Sequence, residues 1–182
     1  MSGSIQVLYD EASIRRRVAE LADEVDRDHQ GAGELVLVGV LKGSFIFLAD
    51  LARTLTVPRR VDFLAVSTYP GETREPGAVR LLMDLRIDIA GRHVLLVEDI
   101  VDTGSTLAYL QGLLAARKPA ALRTCVLLRK GVRLRHDVTL DYVGFDIPDV
   151  WVVGYGLDMA ERLRCLPYIG AVEPPVTNAN PA

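Results

Sequence analysis

Four short, almost unbroken apolar runs most constrain the fold: LVLVGVL at 35–41, VDFLAV at 61–66, HVLLV at 93–97 and TCVLL at 124–128. Runs like these lack the alternating polar positions of a half-wet strand, so they read as strands buried on both faces. Two stretches with helical spacing alternate with them, at 45–55 and at 106–117, the second stopping before the breaker Pro119. Buried strands alternating with helices predict an α/β fold with a parallel, doubly wound sheet. A further amphipathic helix is expected over 11–28, where Ile14, Val18, Leu21 and Val25 recur at three- and four-residue spacing. Arg15, Arg16, Arg17 and Asp23 fall on its other faces, and the arginine triplet reads as a solvated face.

The chain has 182 residues, 49% of them hydrophobic, and a formal charge of −3 from 21 basic and 24 acidic side chains. Mixed charge at this length fits one globular domain and excludes a disordered acidic chain or a protein that binds nucleic acid by bulk phosphate neutralisation. The longest clean apolar run is stopped by Lys42, which argues against a membrane span. The N-terminus lacks the order of a secretory signal, and two cysteines, Cys125 and Cys165, make no disulfide framework, so a cytoplasmic protein is expected. Only Lys42, Lys118 and Lys130 are lysines, against 18 arginines, which makes each lysine's position informative.

Each apolar run ends in a polar or small cluster: Lys42-Gly43-Ser44, Ser67-Thr68-Tyr69, Glu98-Asp99 and Arg129-Lys130. In a parallel sheet these ends share one edge, the edge where open α/β folds bind ligands. The third cluster continues as VEDIVDTGSTL at 97–107, a strand, three acids and a small hydroxylated turn opening a helix. Amides at a helix N-terminus, joined by Thr and Ser hydroxyls, make a cradle for a phosphate dianion, and Gly104 lets its backbone come close. Glu98 and Asp99 suit sugar hydroxyls or a divalent cation, and Asp102 is placed to take a proton. The plainer alternative is that Asp102 and Thr103 cap the helix while Glu98 and Asp99 occupy a solvated loop.

Spacing excludes two other phosphate chemistries. A P-loop needs Gly-Lys-Ser/Thr, and here the order is Lys42-Gly43-Ser44. Aspartate-nucleophile phosphatases use Asp-x-Asp, whereas Asp99 and Asp102 are separated by two residues. Gly154-Tyr155-Gly156 lacks the third glycine of a dinucleotide fingerprint.

The segment VEDIVDTGSTL closely resembles the phosphoribosyl-pyrophosphate signature of the type I phosphoribosyltransferases, specifically that of the hypoxanthine-guanine phosphoribosyltransferases. GVLKGSFIFLADL at 39–51, STYPGETREPG at 67–77, LLRKG at 127–131 and the stretch from 141 to 170 are similar to further segments of that family, in order, so that nearly the whole chain is covered. Glu98-Asp99 followed by Asp102 matches the 6-oxopurine branch; the adenine and orotate enzymes have an Asp-Asp pair without the later acid. Lys130 points the same way, because an ammonium can donate to a 6-oxo group but cannot accept from adenine's amine.

The resemblance implies a Mg²⁺-dependent purine-salvage transferase that moves the 5-phosphoribosyl group of phosphoribosyl diphosphate to N9 of hypoxanthine or guanine, giving IMP or GMP plus diphosphate. By the same resemblance, Asp102 is the general base at purine N7, and Asp102, Thr103, Gly104, Ser105 and Thr106 enclose the 5′-phosphate. Glu98 and Asp99 hold ribose hydroxyls at or near Mg²⁺, and Asp158 holds a second Mg²⁺. Lys42, Gly43 and Arg164 bind diphosphate, with a non-proline cis bond expected at Leu41-Lys42. Lys130, Trp151 and the backbone of Val152 bind the purine, and a lid over 68–80 carries Thr68 and Tyr69.

The family's layout implies a central twisted parallel sheet spanning about 12–135, a small hood from the N-terminal segment and about 136–172, and a tail from 173 to 182. It also implies a homodimer or homotetramer, with neither nucleic acid nor membrane as partner. The rival on the same fold is a non-catalytic regulator that senses phosphoribosyl diphosphate and binds nucleic acid. Such a protein needs a basic face, and a charge of −3 together with Asp102 and Lys130 weighs against it. Cys165 and Met159 stand where relatives usually carry Asp or Asn and an aromatic. His29, His93 and His136 lack metal-ligand spacing and receive no role.

Overall fold

The computed structural model describes residues 4–68 and 79–173. Strands β1 (Gln6–Tyr9), β2 (Leu35–Leu41), β3 (Arg59–Thr68), β4 (Val79–Met83), β5 (His93–Val101), β6 (Ala121–Arg129), β7 (Tyr142–Asp146), β8 (Trp151–Val153) and β9 (Ile169–Val172) are joined with helices α1 (Glu11–Asp28), α2 (Phe45–Thr54) and α3 (Ser105–Ala115). The large sheet has the order β4-β3-β2-β5-β6-β7. Strands β3, β2, β5, β6 and β7 are parallel, and the edge strand β4 is antiparallel to β3.

The central strands alternate between two apolar layers, as period-two geometry requires. Leu35, Leu37, Leu95, Val97, Cys125 and Leu127 face the layer containing α1 and α2, while Val36, Val38, Val94, Leu96 and Val126 face α3. Helix α1 buries Ile14, Val18, Leu21 and Val25, and its first turn is capped by Asp10, which accepts from the Ser13 amide at 2.8 Å. Arg17 departs from the expected solvated face. Its guanidinium donates to the Val143 and Gly144 carbonyls of β7 at 2.9 and 3.0 Å and pairs with Glu20 and Glu24, because a long cationic side chain can satisfy carbonyls the helix face covers.

A second, antiparallel sheet of order β1-β9-β8 forms the hood. Val152, Tyr155, Leu157 and Ile169 join the core layer of α1 and α2, and Tyr9 stacks on Phe145 at 4.0 Å between ring centroids. Two boundaries differ from the sequence expectation. Strand β7 pairs with β6, so the large sheet extends to Asp146 and does not stop at 135. Strand β5 runs on through Glu98 and Asp99 to Val101, because β6 keeps its backbone groups paired past the apolar run. No described helix is long and apolar enough to cross a membrane.

Candidate active site

The C-terminal ends of β2, β5 and β6 bring three groups of side chains together. The first surrounds a cavity of about 260 Å³ lined by Glu98 and by Ile100 through Leu107. Gly104 is the residue before α3, with φ +86°, and no described side chain caps the helix. The capping role considered for Asp102 and Thr103 is therefore not adopted: the side-chain contact nearest to one is a long 3.4 Å approach of the Ser105 amide to Thr103 Oγ1. A helix N-terminus that no described side chain caps, beside the Thr103 and Ser105 hydroxyls, is suited to a phosphate. Ser105 Oγ also lies 3.0 Å from both Thr103 Oγ1 and His136 Nε2, so a histidine without a sequence-assigned role reaches the cradle.

Glu98 and Asp99 do not form the solvated loop of the plainer alternative. Burial, followed by the neighbouring Asp99 charge, pushes the Glu98 carboxyl well above the usual range, and burial also raises Asp99. Glu98 Oε2 is buried without a hydrogen-bond partner among the described residues. Clustered buried carboxylates of this kind are relieved by protonation or by a cation.

In the second group, the Asp99 carboxylate lies against the backbone of Gly43, so closely that a Cβ at 43 would overlap it. Leu41-Lys42 is cis, as the resemblance implied. Gly156, at φ +106°, packs its Cα against the Gly43 carbonyl, which fits the loop after β2 directly beneath the 154–164 segment. Arg164 donates to the Gly156 carbonyl at 2.6 Å and pairs with Asp158 Oδ1 at 2.8 Å. Glu161, unnoticed in the sequence, bridges Lys42 Nζ at 3.0 Å and Arg164 Nη2 at 3.2 Å. Its hydrogen bond from Lys42, then that from Arg164, holds its carboxyl below the usual value.

The third group is a square of charges. Asp102 Oδ2 is 3.1 Å from Arg133 Nη1 and 3.8 Å from Lys130 Nζ, and Asp149 Oδ1 stands 3.5 and 3.7 Å from the same two cations. Lys130 is buried, yet both carboxylates are at ion-pair rather than hydrogen-bond distance, so its donors are not committed to them. Asp102 Oδ1 is buried and has no hydrogen-bond partner among the described residues. Lys130, Arg133, Asp149 and the exposed face of Trp151 line an open cavity of about 510 Å³. Val152, assigned to the purine from sequence, turns its side chain into the core and does not line this cavity. Arg133 and Asp149 were not singled out from sequence; the proximity of Arg133 to Lys130 in the chain was the available signal.

A further cavity, about 590 Å³ between α1, α2 and Cys165 to Pro167, is lined by none of the residues assigned roles from sequence. Chemistry favours the two smaller cavities. Thr68 ends β3 with its backbone paired to Val79, so the outer parts of the expected lid are the stems of a β3–β4 hairpin. Tyr69, the Thr68 side chain and the tail from 174 lie outside the described residues.

A family model described as "Phosphoribosyl transferase domain" matches residues 4–160. The chain belongs to the phosphoribosyltransferase family. This phosphoribosyltransferase is 46% identical over 173 residues to the hypoxanthine-guanine phosphoribosyltransferase of Dictyostelium discoideum, covering 93% of this chain and 96% of that protein. It is 46% identical to the hypoxanthine phosphoribosyltransferase of Salmonella typhimurium, covering 94% of this chain and 97% of the relative. The crystal structure of a hypoxanthine-guanine phosphoribosyltransferase from Bacillus anthracis superposes with a TM-score of 0.88 at 44% identity, over 93% of this chain and 99% of the other. The fold expected from sequence, a type I phosphoribosyltransferase core with a hood, is the fold found.

Proposed function

We propose that this phosphoribosyltransferase converts hypoxanthine or guanine and phosphoribosyl diphosphate into IMP or GMP and diphosphate. The observation that carries this reading is the placement of Asp102. Among the described residues its Oδ1 has no partner, its Oδ2 faces Lys130, and its chain leads directly into the Thr103–Thr106 turn, which no described side chain caps. One residue thereby stands between a donor suited to a 6-oxo group and a cradle suited to a 5′-phosphate.

In this reading the purine lies against Trp151, with its 6-oxo group accepting from Lys130 and its opposite edge meeting the backbone of Val152. Asp102 Oδ1 accepts the N7 proton as N9 attacks C1′. The N9–C1′ bond forms, the bond from C1′ to the diphosphate oxygen breaks, and the electron pair leaves with diphosphate, held by Lys42, Gly43 and Arg164. Ring nitrogen becomes a better nucleophile as the proton departs. Thr68 and Tyr69 would belong to the segment that excludes water from the oxocarbenium-like centre.

Among the described residues no three acids, histidines or cysteines form a ready-made metal cluster. Mg²⁺ takes one or two carboxylates together with substrate oxygens. The unpartnered Glu98 Oε2 and the buried Asp99 are the donors that would hold it, with Asp158 at a second position once released from Arg164. Bound there, Mg²⁺ supplies charge neutralisation for the departing diphosphate. We further infer a cytoplasmic protein acting as a homodimer or homotetramer.

The test is incubation with Mg²⁺, phosphoribosyl diphosphate and, separately, hypoxanthine, guanine, xanthine and adenine, following nucleotide formation. Turnover of hypoxanthine or guanine is expected. Turnover of adenine alone, or of no base, overturns the reading.

A further inference from the structure

The turn that carries Glu161 breaks a local rule. Met159 and Arg162 exchange backbone hydrogen bonds at 3.1 Å in both directions, which makes Ala160 and Glu161 the two central residues of a hairpin turn. Both have positive φ, +52° and +61°. Two-residue turns of this geometry favour Asn-Gly or Gly-Gly, because a Cβ is disfavoured in the left-handed region. Ala-Glu is therefore a strained choice, and local rules of this sort are broken most often at functional sites.

The strained turn aims the Glu161 carboxylate at two cations. Oε2 lies 3.0 Å from Lys42 Nζ and 3.2 Å from Arg164 Nη2, and the Glu161 amide donates to Asp158 Oδ2 at 2.7 Å. Lys42 comes from the loop after β2, 119 residues away in sequence, so the contact joins separate parts of the fold. A carboxylate between an ammonium and a guanidinium occupies the place that a phosphate oxygen of diphosphate would take. The Lys42–Glu161 pair is also well exposed, at 67% and 68% of the two side chains. Exposed pairs are weak, so an incoming polyanion can displace this one.

We propose that Glu161 is an internal competitor for the diphosphate subsite, yielding Lys42 and Arg164 to the substrate and reclaiming them as the product leaves. The proposal rests on the assignment of Lys42 and Arg164 to diphosphate. Glu161 makes no bond and moves no proton. It exchanges one anion for another on the same two cations, and so sets how tightly the leaving group is retained.

The experiment measures Kd of inorganic diphosphate in the presence of Mg²⁺ by calorimetry for the full chain, Glu161→Gln and Glu161→Asp, with IMP as the comparison ligand. Glu161→Gln removes the charge. Glu161→Asp keeps the charge but shortens its reach by one methylene. Diphosphate should bind about fivefold more tightly to Glu161→Gln, the scale of an exposed ion pair, and at least about twofold more tightly to Glu161→Asp, with the Kd of IMP unchanged. Tightening in Glu161→Gln alone would mean that only the distant charge matters, and overturns the proposal. Unchanged diphosphate affinity in both variants, or an equal change for IMP, overturns it too. Absence of diphosphate binding to every form would instead remove the subsite assignment beneath it.

Discussion

Replacing Gly43 by Ala adds one methyl group where the structure has no room for it. Gly43 has an ordinary φ, so the effect is steric and not conformational. The new Cβ would overlap Asp99 Oδ2 and Cγ and come within 3.0 Å of Oδ1. Restoring van der Waals separation parts the carboxylate from the 41–44 loop by more than about 1 Å. Asp99 is the softer partner, since its carboxylate is the end of a side chain, whereas the loop is pinned under Gly156. Its displacement would strain the hydrogen bond it accepts from the Ile100 amide at 2.9 Å, at a cost of about 1 kcal/mol. For a chain of this length that corresponds to a Tm loss of roughly 2–4 °C. The catalytic loss should be larger, because on the proposed role of Asp99 in positioning ribose or Mg²⁺, moving it by about 1 Å can cost about 100-fold, near 2.7 kcal/mol of transition-state stabilisation. Steady-state turnover of hypoxanthine and thermal unfolding of Gly43→Ala test this together. A kcat/KM within threefold of the parent would show that the Asp99–Gly43 contact does not position the reaction. A Tm loss beyond about 10 °C would show that the backbone, not the carboxylate, gives way.

Two further substitutions probe the fold and the purine cavity. Asp26 at the end of α1 accepts from the Thr56 amide and hydroxyl and from the Val57 amide at 2.7 to 3.1 Å; burial pushes its carboxyl up, but these bonds outweigh it and leave the pKa lowered. A lowered folded-state pKa stabilises above the unfolded aspartate value of about 3.9 and ceases to do so as pH falls through the folded one. Asp26→Asn should therefore cost about 1–2 kcal/mol in urea unfolding at pH 7, after allowance for solvent screening, with a smaller difference near pH 3; equal differences at both pH values would contradict the sign. Lys130→Gln should lower kcat/KM for hypoxanthine at least about tenfold and leave the affinity for ribose 5-phosphate within about threefold, since Lys130 lines the proposed purine cavity and not the proposed phosphate cradle. A parallel fall in both would place Lys130 elsewhere in the mechanism.

The parts of the fold written as long apolar runs were legible from sequence, since strands buried on both faces cannot be mistaken for wet ones. Strands β2 and β6 and helix α1 follow their patterns closely. The expected end of β5 came too early because Glu98 and Asp99 look like loop residues by composition, while pairing with β6 carries the strand past them. Strands β7, β8 and β9 are only three to five residues long, too short for alternation to separate hood from sheet. Within the candidate site, the adjacency of Asp102, Gly104 and Lys130 to their neighbours' chemistry was legible from sequence and resemblance. Glu161 was not, because a residue whose importance lies in a positive-φ turn carries no mark when the turn lacks glycine. Nor was His136, whose partner Ser105 is 31 residues away.

Asp102→Asn tests the central claim most directly. The substitution keeps the shape and removes the ability to hold a proton taken from purine N7. Parallel measurements of kcat for IMP formation and of Kd for IMP should show kcat falling about 10²- to 10⁴-fold while the nucleotide affinity stays within about threefold, because the cradle's amides and hydroxyls remain. A kcat within tenfold of the parent, with IMP still bound, would contradict the assignment of Asp102 as the base.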